Sequence, residues 1–343
     1  MSLFSEIMEQ PSVLQAMFRA NEANVKDIAA QIKPVNAVFI AARGTSDNAA
    51  RYAQYVWGAF NRLPVMLATP SLFSIYQKPP TMRDMLVVGI SQSGQSPDIV
   101  NVLLEARRQG QTTLAITNAP ESPLAEAADH VLDIYARPEN AVAATKTYTS
   151  QLQAIAMLAA ALSNDVEAME QVSRIPIWAA EGLQQNAPIQ AIAQRYRYMD
   201  HCSVLGRGFN YATAFEWSLK LKELTYVVAE PYSSADFRHG PIAMVDRGFP
   251  VMCVAPDGAV FPDMLDLIQV LRKQHHAELL VISNREEALS LATSPIQLPA
   301  DIPEWLSPIV GIIPAQLFCY HLTQVKGFDV DQPRGLSKVT KTT

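Results

Sequence analysis

Residues 87–98 read VVGISQSGQSPD. An apolar run leads straight into a Ser/Gln/Gly turn, and Pro-Asp follows. The run lacks polar alternation, as in a strand buried on both faces. Gly94 is suited to φ > 0 and to close approach of a ligand to the main chain. Pro97 fits the first turn of a helix, where its missing N–H would be unpaired anyway, and Ser96 stands at the N-cap position. The stretch therefore predicts strand, tight turn and helix, with the helix's free N–H groups facing the turn. Phosphate favours that environment. Ser91, Ser93 and Ser96 add hydroxyls there, and Gln92 adds an amide. A capped turn without a ligand has the same local signature, so the motif alone leaves both readings open.

The same plan recurs downstream. AVFIAARG (37–44) matches CSVLGRG (202–208), each an apolar run ending in Arg-Gly. VVGISQSG ends at Gly94 and VMCVAPDG at Gly258; 94 − 44 and 258 − 208 are both 50. TLAITN then ends at Asn118 and LLVISN at Asn284, 24 and 26 residues further on. Three strand ends in register identify a duplicated unit. Amphipathic stretches at 46–60, 98–109 and 147–163 lie between or after the strands of the first copy. Each unit thus reads as α/β, a parallel sheet covered by helices. Such sheets bind ligands beyond the carboxyl ends of their strands. The second copy's turn, APDGA (255–259), keeps the glycine, has no hydroxyl and carries Asp257, which would repel phosphate. The fold needs the glycine and not the serines, which points to one phosphate site per chain.

Composition narrows the class. The chain has 343 residues, 49% hydrophobic and 17% charged, enough for sizeable cores and against disorder. A net charge of −6 argues against a broad nucleic-acid surface. Cys202, Cys253 and Cys319 form no CxxC pair, so no disulfide framework or zinc site is expected, and a cytoplasmic location fits. MSLFSEIMEQP has no signal-peptide pattern. Apolar stretches such as 153–162 are too short to span a bilayer, so no membrane partner is expected. The expected organisation is an N-terminal helical segment (1–33), a first domain (34–164), a helical connector interrupted by Pro176 (165–194), a second domain (195–330) and a tail (331–343).

Several side chains are candidates for chemistry. Glu216, Lys220 and Glu223 share one face of the helix expected after Gly208, with Glu216 and Lys220 in the favourable i,i+4 order. A solvated ion-pair face is the ordinary meaning of such spacing. The apolar Phe215, Leu219, Leu221 and Leu224 instead predict a largely buried helix, where a carboxylate can serve as a base. His239 lies in a Gly/Pro-bounded loop, and a single loop histidine is ordinarily structural or exposed. His275 and His276 suit the C-terminal end of a helix and have no further ligands at metal spacing. Thr45 and Ser46 follow the first strand at the same sheet edge as the serine turn. Asp129 and Asp133 bracket a short strand.

RGTS (43–46), ISQSGQSPD (90–98), AATKTYTSQ (143–151), LGRG (205–208), LKLKELTY (219–226), RHGP (238–241) and KGFDVDQPRGLSK (326–338), with EIMEQP (6–11), together resemble a known family. They are similar to the tandem sugar-isomerase (SIS) domains of glucosamine-6-phosphate synthase, in order and over nearly the whole chain. The resemblance implies two flavodoxin-like SIS domains of three αβα layers, a homodimer and a phosphorylated amino-sugar ligand. It implies that Ser91, Gln92, Ser93 and Ser96 hold phosphate and that Thr45, Ser46 and the backbone near Val142 line the sugar pocket. Glu223 would move a proton between C1 and C2 with Lys220 nearby. His239, from the partner subunit, would open the ring, and Lys338 would reach in from the tail. No metal or other cofactor is implied.

The departures from the synthase alter the expected chemistry. Arg43 stands where the synthase has cysteine, Ala144 where it has a hydroxyl, and Gly335 where it has asparagine. MSLFSEIM leads directly into the EQP element, so no glutaminase domain is expected. The resemblance extends to stand-alone double-SIS proteins: glucosamine-6-phosphate deaminases, galactosamine-6-phosphate deaminase/isomerases and fructosamine-6-phosphate deglycases. The leading expectation is glucosamine 6-phosphate plus water giving fructose 6-phosphate and ammonia. A phosphosugar sensor without catalysis is the alternative of a different class.

Overall fold

Among the described residues, ten parallel strands in two sheets carry the duplication. In the computed structural model, which describes residues 2–32 and 34–338, β1 (Ala37–Ala41), β2 (Val65–Leu67), β3 (Met85–Ser91), β4 (Thr112–Thr117) and β5 (His130–Asp133) form the first sheet, in the order β2-β1-β3-β4-β5. The strands β6 (His201–Gly206), β7 (Val228–Ser233), β8 (Pro250–Val254), β9 (Glu278–Ser283) and β10 (Ser294–Gln297) form the second, in the order β7-β6-β8-β9-β10. Counted within each copy, both orders are 2-1-3-4-5, the flavodoxin-like arrangement. The strand order reverses between the first and third strands of each copy, which is where such sheets open a crevice for ligands.

The hydrophobic runs explain the sheets. Leu86, Val87, Val88 and Ile90 of β3 are buried, as are Val251 to Val254 of β8. Strands covered on both faces need no polar alternation. In the first copy, Phe39, Ala41, Val87 and Ala115 pack with Ile99, Val102, Leu103 and Ala106 of the helix Pro97–Arg108. In the second, Leu205, Val251, Cys253, Leu279 and Val281 pack with Met264, Leu267, Ile268 and Leu271 of the helix Phe261–Lys273. The three cysteines are buried and unpaired, and burial pushes the Cys202 and Cys253 thiols up to about 12.

Two compact units result. One holds Ser12–Glu139, Lys146–Arg174, Ser337 and Lys338; the other holds Ser2–Pro11, Asn140–Thr145 and Ile175–Leu336. The N-terminal segment is two helices, Leu3–Met8 and Gln10–Gln31, rather than one. Pro11 explains the break, since it cannot donate to a continuing helix and fits a helix start. Pro176 likewise begins a helix, Ile175–Leu183, between Val166–Ser173 and Asn186–Arg195. It does not interrupt one, as the sequence reading expected.

One reading about membranes changes. Glu304–Val325 is long and apolar enough to cross a bilayer, although 94% of that window is buried in the protein. Its polar groups dispersed the apolar pattern, and several of them find partners inside the fold. Thr323 Oγ1 donates to Cys319 O at 2.6 Å, Gln10 Nε2 donates to Gln316 Oε1 at 2.8 Å, and His321 Nε2 pairs with Asn186 Oδ1 at 2.8 Å. The arrangement is that of a core helix.

Candidate active site

The serine turn is held by its own polar groups. Ser91 Oγ accepts from Gly94 N at 3.1 Å, and Ser93 Oγ lies 3.4 Å from the donating N–H of Gln95. The Gln92 carbonyl accepts from Asn118 N at 3.2 Å, which ties the turn to the end of β4. Gly94 has φ +62°, and a Cβ there would stand 2.0 Å from Ser122 Oγ, so the position admits glycine only. The helix starts at Pro97 as expected, with Ser96 at its N-cap position, but the Ser96 side chain makes no capping bond. Asp98 Oδ1 instead accepts the Ile99 N–H at 3.0 Å. Ser91 is buried; Gln92, Ser93 and Ser96 are half-buried.

Two further candidates sit in the same unit. Thr45 begins the helix Thr45–Asn61 and is half-buried. Ser46 is buried, and its hydroxyl accepts from Gln151 Nε2 at 3.0 Å, so it is engaged with the helix Lys146–Leu162. Arg43 precedes Thr45 and Ser46 in the turn that follows β1. Its Nε donates to Asp98 Oδ2 at 2.8 Å.

The duplicate turn provides an internal comparison. Gly258 has φ +149° and precedes the helix Phe261–Lys273. There Glu304 inserts its own carboxylate: Oε2 accepts from Ala259 N at 2.7 Å and Oε1 from Val260 N at 3.3 Å. A Cβ on Gly258 would stand 2.3 Å from Glu304 Cδ. Asp257 does not act as a free repelling charge, because Arg285 Nη1 pairs with it at 2.5 Å. The second copy thus fills its helix start with a built-in anion. The geometry is that expected for anion capture at helix N-termini.

The acid–base candidates lie in the other unit. The helix Tyr211–Lys220 does not continue as a regular α-helix through Glu223. It passes into a π turn, Leu221–Thr225, and ends at Tyr226 with φ +58°. Such turns insert a residue and re-aim side chains, and they concentrate at functional sites. Lys220 is 1% exposed and contacts both carboxylates, Glu216 Oε1 at 3.4 Å and Glu223 Oε2 more closely. Glu216 is fully buried, whereas the Glu223 side chain remains 23% exposed. Burial opposes the Lys220 charge, but the neighbouring Glu216 and Glu223 carboxylates outweigh it and hold the ammonium above the usual lysine range.

The remaining candidates are His239, Val142 and Lys338. His239 is exposed at the C-cap of the short helix Ser234–Arg238. Val142 is half-buried in the irregular stretch Asn140–Thr145, where Glu6 accepts the Asn140 and Ala141 N–H groups at 2.6 and 3.2 Å. Lys338 Nζ donates to Glu139 Oε2 at 2.6 Å. Glu139 is buried and also accepts from Thr147 Oγ1 at 2.8 Å and Thr147 N at 3.2 Å. Sequence reasoning missed Glu139 and Glu304 because their partners lie far off in the chain or outside any repeat. A lysine partner as far along the chain as Lys338 gives no local spacing signal. Among the described residues, no group of three or more His, Cys, Asp or Glu is placed to hold a metal ion. A cavity of about 570 Å³ lined by Phe18, Lys26, Ala160, Val166 and Met169 includes none of the candidates.

Comparison with known proteins identifies the family. The SIS domain model matches residues 31–161 and 198–326. Glutamine–fructose-6-phosphate aminotransferase (isomerizing) of Thermus thermophilus is 34% identical over 98% of the chain and 58% of its own length. The enzyme of the same name from Pyrococcus horikoshii is 33% identical over 98% and 57%. The chain therefore spans a little over half the length of these relatives. The C-terminal domain of glucosamine-fructose-6-phosphate aminotransferase from Francisella tularensis superposes with a TM-score of 0.88 at 29% identity, covering 96% of this chain and 98% of that one. A glucosamine-6-phosphate deaminase from Thermotoga maritima shares the fold, with a TM-score of 0.81 at 22% identity over 99% of each chain.

Proposed function

The chain belongs to the SIS domain family, and from that premise we propose that it is a phosphosugar aldose–ketose isomerase working as an amino-sugar-phosphate deaminase. The reaction is glucosamine 6-phosphate plus water giving fructose 6-phosphate and ammonia. The observation that carries the reading is the Glu216–Lys220–Glu223 cluster. A buried cation held by two carboxylates carries a large desolvation cost, and it leaves Glu223 alone reaching solvent. A partly exposed carboxylate beside a fixed cation suits proton transfer at a carbon next to a carbonyl.

In the proposed sequence, the partner subunit's His239 assists ring opening within a homodimer. Glu223 then takes the C2 proton of the open-chain amino aldose. It returns a proton to C1, which leaves an imine at C2. Water adds to C2, and ammonia departs. Ser91, Gln92, Ser93 and Ser96 grip the phosphate, and Thr45, Ser46 and the Val142 backbone bound the sugar. The ion pair of Lys338 with Glu139 favours a fixed positive charge that stabilises the enediol-like intermediate over a free amine forming a Schiff base. No metal or other cofactor takes part, and the cytoplasm is the proposed compartment.

Ammonia release from glucosamine 6-phosphate tests the proposal, with the galactosamine and fructosamine 6-phosphates beside it. Turnover of galactosamine 6-phosphate alone would move the assignment to the other epimer. Turnover of fructosamine 6-phosphate alone would make the enzyme a deglycase. Tight binding of these compounds without turnover would leave a sensor.

A further inference from the structure

Asp98 is a buried carboxylate in the first turn of the helix that opens beside the serine turn. An uncompensated charge there would oppose an incoming phosphate. Its partner is Arg43, whose Nε donates to Oδ2 at 2.8 Å while the guanidinium side chain stays 50% exposed. β1 and β3 are neighbours, and Ala41 pairs with Gly89. Arg43 follows the end of β1 and Ser91 ends β3, at the point where strand order reverses. The serine turn, residues 91–97, carries no basic residue of its own. The Arg43 backbone is fixed as well, since its carbonyl accepts from Ser46 N at 3.1 Å and Asp47 N at 3.3 Å.

We infer that Arg43 is a phosphate-binding, specificity-determining residue of the serine turn. Asp98 locks Nε, and the two terminal amino groups of the guanidinium fork remain for phosphate oxygens. A fork fixed on one side and exposed on the other matches the geometry of a tetrahedral anion better than a lysine does. The inference rests on the reading of Ser91 to Ser96 as the phosphate grip. It adds that the charge selecting a phosphorylated over a plain sugar comes from Arg43.

Calorimetric titration with glucosamine 6-phosphate and with glucosamine separates the possibilities. The proteins to compare are the native chain, Arg43→Gln, Arg43→Lys, Ser93→Ala and the double variant Arg43→Gln/Asp98→Asn. Arg43→Gln is expected to weaken glucosamine 6-phosphate binding by roughly 10- to 100-fold, the range for hydrogen bonds to a charged group, with little change for glucosamine. Arg43→Lys should recover part of the loss. The double variant removes the buried unpaired carboxylate, so it should restore the melting temperature without restoring phosphate affinity. Native affinity in the double variant would overturn the inference and leave Arg43 as a structural partner of Asp98. A loss in Ser93→Ala with none in Arg43→Gln would overturn it and keep the serine grip. Silence of both variants would overturn the grip and the inference together.

Discussion

Lys220 shows how strongly single residues are constrained. It is 1% exposed and its charge is shared by Glu216 and Glu223. Replacing it with methionine would leave two carboxylates without their cation, at a cost of about 3–5 kcal/mol for a broken buried pair. Chemical denaturation of Lys220→Met measures this, and an unchanged midpoint would contradict the buried-cation account. The pH dependence has a definite sign. The folded pKa of Lys220 lies above the unfolded one, so its contribution is complete below the unfolded value near about 10.4 and falls as pH rises beyond it. Glu223→Gln keeps the shape of the side chain and removes the base. Turnover should fall by roughly 10²–10⁴ while substrate affinity changes little. Near-native turnover would remove Glu223 from proton transfer. The charges of this cluster were legible from the 216/220/223 spacing. The π turn was not, because nothing in LKELT distinguishes i→i+5 bonding from an ordinary last turn.

At the scale of elements, the two turns after β3 and β8 use one backbone plan in different ways. The second is closed by Glu304, whose carboxylate accepts two N–H groups at the start of the helix Phe261–Lys273. Glu304→Ala should therefore cost roughly 0.5–2 kcal/mol, as for loss of a helix cap. Added phosphate should recover part of the melting temperature by occupying the vacated donors, since binding to the native state stabilises it. No loss of stability, or a loss that phosphate leaves untouched, would contradict the anion-cradle reading of this turn. Sequence had marked the second turn as unfit for phosphate because of Asp257. That charge is paired with Arg285, and the physical reason is occupancy by Glu304. The correct residue lies 46 positions beyond Gly258, outside the repeat comparison that exposed the difference.

At the scale of the whole molecule, duplication was the most readable property. Apolar runs ending at matched glycines gave the strands, and matched spacing gave two copies of one α/β unit. The structure agrees down to the same 2-1-3-4-5 order in each sheet. Less readable were contacts made across long stretches of chain, such as Lys338 with Glu139 and Gln10 with Gln316. They follow from packing and have no periodic signature. The burial of Glu304–Val325 was also hidden, because scattered polar residues break its apolar run, and partners such as Gln10 for Gln316 and Asn186 for His321 come from distant parts of the chain. The central claim is that these two copies serve one deamination of an amino-sugar phosphate. The most direct measurement follows ammonia and fructose 6-phosphate together when the purified protein is given glucosamine 6-phosphate. The account predicts equal amounts of both products, with ammonia release lost in Glu223→Gln. Absence of ammonia from glucosamine, galactosamine and fructosamine 6-phosphates alike would contradict it.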